Sequence, residues 1–139
     1  MDQMTAPNRV GASFLNCLER ADHRRSPFDY WLLDRALPDT TIDAIVALPY
    51  APPSGAMFDG RRESNNSTRV YFSKENQARY PVCREVVDGF QHPMVTSAIE
   101  RATGTDLSRG HLRIEYCQDI EGFWLEPHID ISVKLFTML

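Results

Sequence analysis

The sequence predicts an α+β protein, with helices over its first two-thirds and extended segments over the last third. Three observations support this. Up to Gly104, apolar residues recur at helical spacing behind capping residues and prolines. From His111 onward the pattern alternates: Leu112, Ile114 and Tyr116 share one face, and Arg113, Glu115 and Cys117 the other. The closing run, VKLFTML, is apolar and lacks any turn signal, so the β-structure it belongs to reads as unfinished.

Asn8 is placed to cap a helix in which Val10, Phe14, Leu15, Leu18 and Ala21 fall on one face. Ser26-Pro27 breaks it, and FDYWLLDRAL then reads as a short extended segment. After Pro38, Asp39 or Thr40 caps a second helix with Ile42, Ile45 and Val46 inward, stopped by Pro49. Residues 51–68 form a loop holding two prolines, two glycines and the polar cluster SNNST. RVYF follows as a strand. Ser73 caps a helical region reaching Phe90, kinked or reopened at Pro81. Pro93 opens a further helix carrying Met94, Val95, Ala98 and Ile99, with Gly104 at its end. Beyond HLRIEYCQD, a turn over 119–122 leads into FWLEPHIDI and then VKLFTML.

The 139 residues suit one domain with a real core, and 42% hydrophobic with 24% charged residues is ordinary for a globular chain. A formal net charge of −4 and isolated basic triplets argue against a nucleic-acid surface. Cys17, Cys83 and Cys117 are widely spaced and include no CxxC pair, which points to free buried thiols in a reducing compartment. The start lacks the basic and apolar run of a signal peptide, and no stretch approaches membrane-spanning length. The expectation is a cytoplasmic protein with no membrane partner; the sequons in 65–68 are then chance matches.

The chemistry centres on WLEPHIDI. Side chains two apart on a strand project from one face, so His128 and Asp130 can aim at a single metal ion with Ile129 turned away. An imidazole and a carboxylate are two corners of the 2-His-1-carboxylate triad of non-heme Fe(II) oxygenases, which leaves open positions for a co-substrate and O2. The plainer alternative is a His and an Asp making hydrogen bonds at a strand end.

From Leu112 to Leu139, through LRIEYCQDIEGFWLEPHIDISVKLFTML, the chain resembles the iron- and 2-oxoglutarate-dependent dioxygenases, in particular the prolyl-4-hydroxylase-like branch. The resemblance implies a helical lead over 1–110 packed on the first strands of a double-stranded β-helix, a jelly-roll-like barrel begun over 111–139. It implies Fe(II) on His128 and Asp130, with 2-oxoglutarate as co-substrate and O2 as oxidant. Tyr116 matches the place of a tyrosine that grips the co-substrate's distal carboxylate; its alternative is a core aromatic. Thr137 and Leu139, sharing a face with Val133 and Leu135, are candidate co-substrate contacts, against plain packing. Trp124 and Glu126 share parity with His128 and are candidate contacts to a small-molecule or peptide substrate, against rim packing and solvation. Lys134 falls on the opposite face by alternation. The loop over 51–68 is a candidate lid.

The family pattern also requires a second His and a basic residue downstream. None of the nine residues after Asp130 is His or Arg, and His23, His92 and His111 all precede the motif. The expectation is therefore the N-terminal portion of a longer oxygenase domain, a hydroxylase whose activity belongs to the longer protein. An uncovered apolar strand at its end is open to self-association. Two alternatives stand beside this one: a cupin-like jelly-roll binding module and a pseudo-enzyme that serves as a partner-binding domain.

Overall fold

A computed structural model describes residues 5–52, 54, 58–61 and 69–139. Most of the 51–68 loop, including SNNST and its sequons, lies outside the described residues. The described chain is mixed helix and sheet. Its helices are α1 (Arg9–Glu19), α2 (Asp39–Val46), α3 (Lys74–Arg79), α4 (Pro81–Phe90) and α5 (Pro93–Thr103). Two antiparallel ribbons accompany them: β1 (Asp22–Arg24) with β2 (Tyr30–Leu32), and β3 (Val70–Tyr71) with β4 (Glu115–Tyr116).

The core forms where α1 crosses α4 and α5. Val10 and Phe14 of α1 meet Val86, Val87 and Phe90 of α4 and Val95 and Ile99 of α5. Phe14 sets its ring edge-on to Phe90 at 5.0 Å, a favoured aromatic geometry. Asn8 caps α1 as expected, accepting from the Gly11 N–H at 3.0 Å, and its amide also donates to the Glu85 carbonyl at 2.8 Å. The cap therefore ties α1 to α4 as well as closing the first turn. Gly89 lets the two helices approach: a Cβ there would meet Val10 at 2.9 Å and the Asn8 Oδ1 at 2.8 Å.

The helical region predicted over 73–90 is two helices, because Tyr80 adopts an extended conformation before Pro81 opens α4. On α2 the predicted inward face is corrected. Ile42 and Val46 are exposed, Ile45 is half-buried, and the fully buried residue is Thr41. Pro38 takes the N-cap position without a side-chain bond, and Asp39 begins the helix instead of capping it. The helix spans only two turns, so a rotation by one position decides which residues are covered.

The alternation from His111 is realised as a strand only at Glu115–Tyr116, with Val70 opposite Tyr116 and Tyr71 opposite Glu115. The Phe72 N–H adds a bond to the Ile114 carbonyl at 3.0 Å. A half-buried Arg69–Glu115 ion pair flanks the ribbon. A turn does close over 120–123, where the Phe123 N–H meets the Ile120 carbonyl at 3.0 Å. The expected strands FWLEPHIDI and VKLFTML are corrected: residues 123–139 are irregular, and no double-stranded β-helix is formed by the described residues. A strand requires a partner for its N–H and C=O groups. Pro127 offers no donor, and the Glu126 N–H is taken by the Gly60 carbonyl at 3.0 Å. No helix among the described residues is long and apolar enough to cross a membrane.

Candidate functional site

His128 lies on an exposed irregular stretch, and its Nδ1 is 2.8 Å from the backbone carbonyl of Glu126. A carbonyl only accepts, so Nδ1 carries the proton, and a neutral ring then holds its lone pair on Nε2. That is the state in which an imidazole binds a metal or takes a proton.

Asp130 is held by its own neighbours. The Lys134 ammonium is 2.5 Å from Oδ1, and the Thr137 hydroxyl donates to Oδ2 at 2.9 Å. A turn makes this possible, in which the Lys134 N–H meets the Ile131 carbonyl at 3.0 Å. The expectation that Lys134 lies on the opposite face is thereby corrected, because alternation holds only in a strand. Thr137 acts on Asp130, and Leu139 is fully exposed; the structure does not bring the two together around a pocket.

Trp124 and Glu126 turn toward the 58–61 segment. The Trp124 Nε1–H donates to the Phe58 carbonyl at 3.1 Å, and its ring lies against Gly60, which is buried with φ +77. Glu126 takes part through its backbone, bonding Gly60 by its N–H and His128 by its carbonyl.

Tyr116 is half-buried in an aromatic cluster. Its ring meets Tyr50 edge-on at 5.3 Å, and Tyr50 meets Tyr80 at 5.7 Å. The Gln118 amide donates to the Tyr50 carbonyl at 2.9 Å, fixing this junction between β4 and the end of α2. Burial, followed by hydrogen bonding to the Cys83 thiol, pushes the Tyr50 phenol up to about 12, and burial also raises Cys83. Both groups stay neutral at pH 7. Sequence reasoning missed Tyr50; its only signal was an aromatic directly after the Pro49 that stops α2.

Cys17 and Cys83 are buried free thiols as expected, whereas Cys117 is exposed. His92 caps α5 by accepting from the Met94 N–H at 3.3 Å, with Nε2 2.9 Å from the Thr5 carbonyl. It has a structural role at the start of α5. A cavity of about 370 Å³ beside β3 and β4 is bounded by Tyr71, Lys74, Gln77, Leu112 and Arg113, and by none of the predicted site residues.

The strand expected to aim His128 and Asp130 from one face is not formed. The pair still supplies donor types that a divalent ion takes, a neutral imidazole whose tautomer is set by a backbone carbonyl and a carboxylate, and both oxygens of that carboxylate are engaged by Lys134 and Thr137. Among the described residues no group of three or more His, Cys, Asp or Glu is placed to hold a metal ion. No protein-family model, curated protein or solved structure matches this chain.

Proposed function

We propose that His128 and Asp130 are ligands for Fe(II) in a 2-oxoglutarate-dependent hydroxylase, completed by a further His supplied outside these residues. The observation that carries the reading is the hydrogen bond from the His128 Nδ1–H to Glu126, which leaves Nε2 as a metal donor two residues from a carboxylate. The resemblance of residues 112–139 to the prolyl-4-hydroxylase-like enzymes supplies the identity of the metal and co-substrate. When bound, they provide oxidative decarboxylation of 2-oxoglutarate coupled to C–H hydroxylation, with O2 as oxidant. The chain's part is to hold the donors in the correct protonation state. His128 offers a fixed tautomer and would hold the ion through Nε2, and Asp130 would hold it in place of the Lys134 ammonium. Tyr116, anchored by Tyr50, is the candidate hydroxyl for the co-substrate's distal carboxylate. The substrate class is a small molecule or peptide.

One observation favours a second reading, a binding module without catalysis: both carboxylate oxygens of Asp130 are engaged within its own segment, by Lys134 and Thr137. Self-association through the apolar residues of 129–139 belongs to either reading. Anaerobic calorimetric titration with Fe(II), with and without 2-oxoglutarate, separates the two. The oxygenase reading expects binding that 2-oxoglutarate tightens and that His128→Ala weakens by about tenfold or more. Equal heats from both proteins end the metal reading.

A further inference from the structure

We propose that Gly60 and Trp124 form a positioning clamp which, acting through the backbone of Glu126, sets the tautomer and orientation of the His128 ring. The functional consequence rests on the metal reading above, whereas the clamp itself stands on geometry alone. Three contacts define it. The Gly60 carbonyl accepts from the Glu126 N–H at 3.0 Å. The Trp124 ring covers Gly60 while its Nε1–H donates to the Phe58 carbonyl at 3.1 Å. The other end of the Glu126 residue, its carbonyl, accepts from the His128 Nδ1–H at 2.8 Å.

Glu126 is therefore gripped on one side by the 58–60 segment and grips the imidazole on the other. The chain is irregular here, so no β-ladder fixes that carbonyl; Pro127 restricts the ψ of Glu126, and the bonds to Gly60 and Phe58 anchor the residue from its N-terminal side. A hydrogen bond at one imidazole nitrogen determines which form the other takes, so the direction of the Glu126 carbonyl selects the tautomer.

Position 60 tolerates no side chain without consequence. A Cβ there would fall 2.7 Å from Trp124 Cζ3 and 2.8 Å from Cζ2, with Cη2 nearer still. The φ of +77 is also one that residues with a Cβ rarely adopt. The nearest atoms belong to the far end of a side chain, so substitution displaces Trp124 and need not unfold the core.

The test is tautomer measurement by nitrogen-15 NMR on histidine-labelled protein at pH 8.5, where an unperturbed imidazole is neutral. The His128 signals are assigned by their loss in His128→Ala. The wild type is expected to show His128 protonated on Nδ1. Gly60→Ala is expected to shift it toward the Nε2–H form and to move Trp124 emission to longer wavelength. Trp124→Phe keeps a ring but removes the bond to Phe58; it is expected to shift the tautomer in the same direction by less, and it decides the matter if Gly60→Ala does not fold. Fe(II) affinity of the clamp variants in the presence of 2-oxoglutarate is expected to fall by about tenfold. An unchanged His128 tautomer in the folded variants overturns the clamp. A shifted tautomer in a protein that binds no Fe(II) at all leaves the clamp standing and removes the metal reading.

Discussion

Phe14 and Ile129 are both large apolar residues, yet Phe14 is fully buried and Ile129 is 92% exposed. They represent two regions of the molecule. Around Phe14, α1, α4 and α5 bury their apolar faces against one another, and the backbone satisfies its own hydrogen bonds within each helix. Around Ile129 the backbone has no ladder, and the conformation is set by a handful of polar bonds: Glu126 to Gly60, His128 to Glu126, and Lys134 and Thr137 to Asp130. The difference shows that the candidate chemistry sits on a part of the chain with little packing behind it. Its geometry depends on a few specific contacts, while that of the core depends on area.

The sharpest way to break this contrast is to truncate one residue from each region. Phe14→Ala should cost about 3–5 kcal/mol in urea unfolding, from lost burial and the cavity left behind. Ile129→Ala should change stability by no more than about 0.5 kcal/mol. Comparable losses would show that 120–139 is packed more tightly than its exposure indicates. A smaller effect comes from the helix crossing. Gly89→Ala should destabilise by about 1–3 kcal/mol, because the new methyl presses on Val10 and Asn8 where the helices meet. A further effect has the opposite sign. The Thr41 hydroxyl is fully buried and has no hydrogen-bond partner among the described residues, so Thr41→Val should raise stability by about 1 kcal/mol in the same assay. A loss there would reveal a polar role for Thr41.

How far the sequence could be read follows the same division. Asn8, Ser73, Pro81, Pro93 and Gly104 marked helix boundaries that the structure keeps, because caps and prolines act on their own few residues. The face of α2 was misread because two turns are too short for periodicity to outweigh the fit against α4. The alternation at 112–117 announced a strand correctly but not its length, which is set by the two residues that β3 offers opposite it. The pair at 128 and 130 was visible as residue types, whereas the partners that orient them were not. Gly60 lies 66 positions before Glu126, and nothing in either local pattern links them.

By itself the sequence determined that residues 9–103 are mainly helical, where most of those helices begin, and the residue types available for chemistry, since propensity, capping and apolar spacing act over a few neighbouring positions. It did not show that α1 ends at Glu19 or that Asp22–Arg24 pairs as a strand. Only the tertiary structure decided which face of α2 is covered, that Tyr116 rests on Tyr50, and that Lys134 and Thr137 close on Asp130. Those outcomes depend on which distant groups supply a hydrogen-bond partner or a surface to pack against, and local sequence carries no record of that choice.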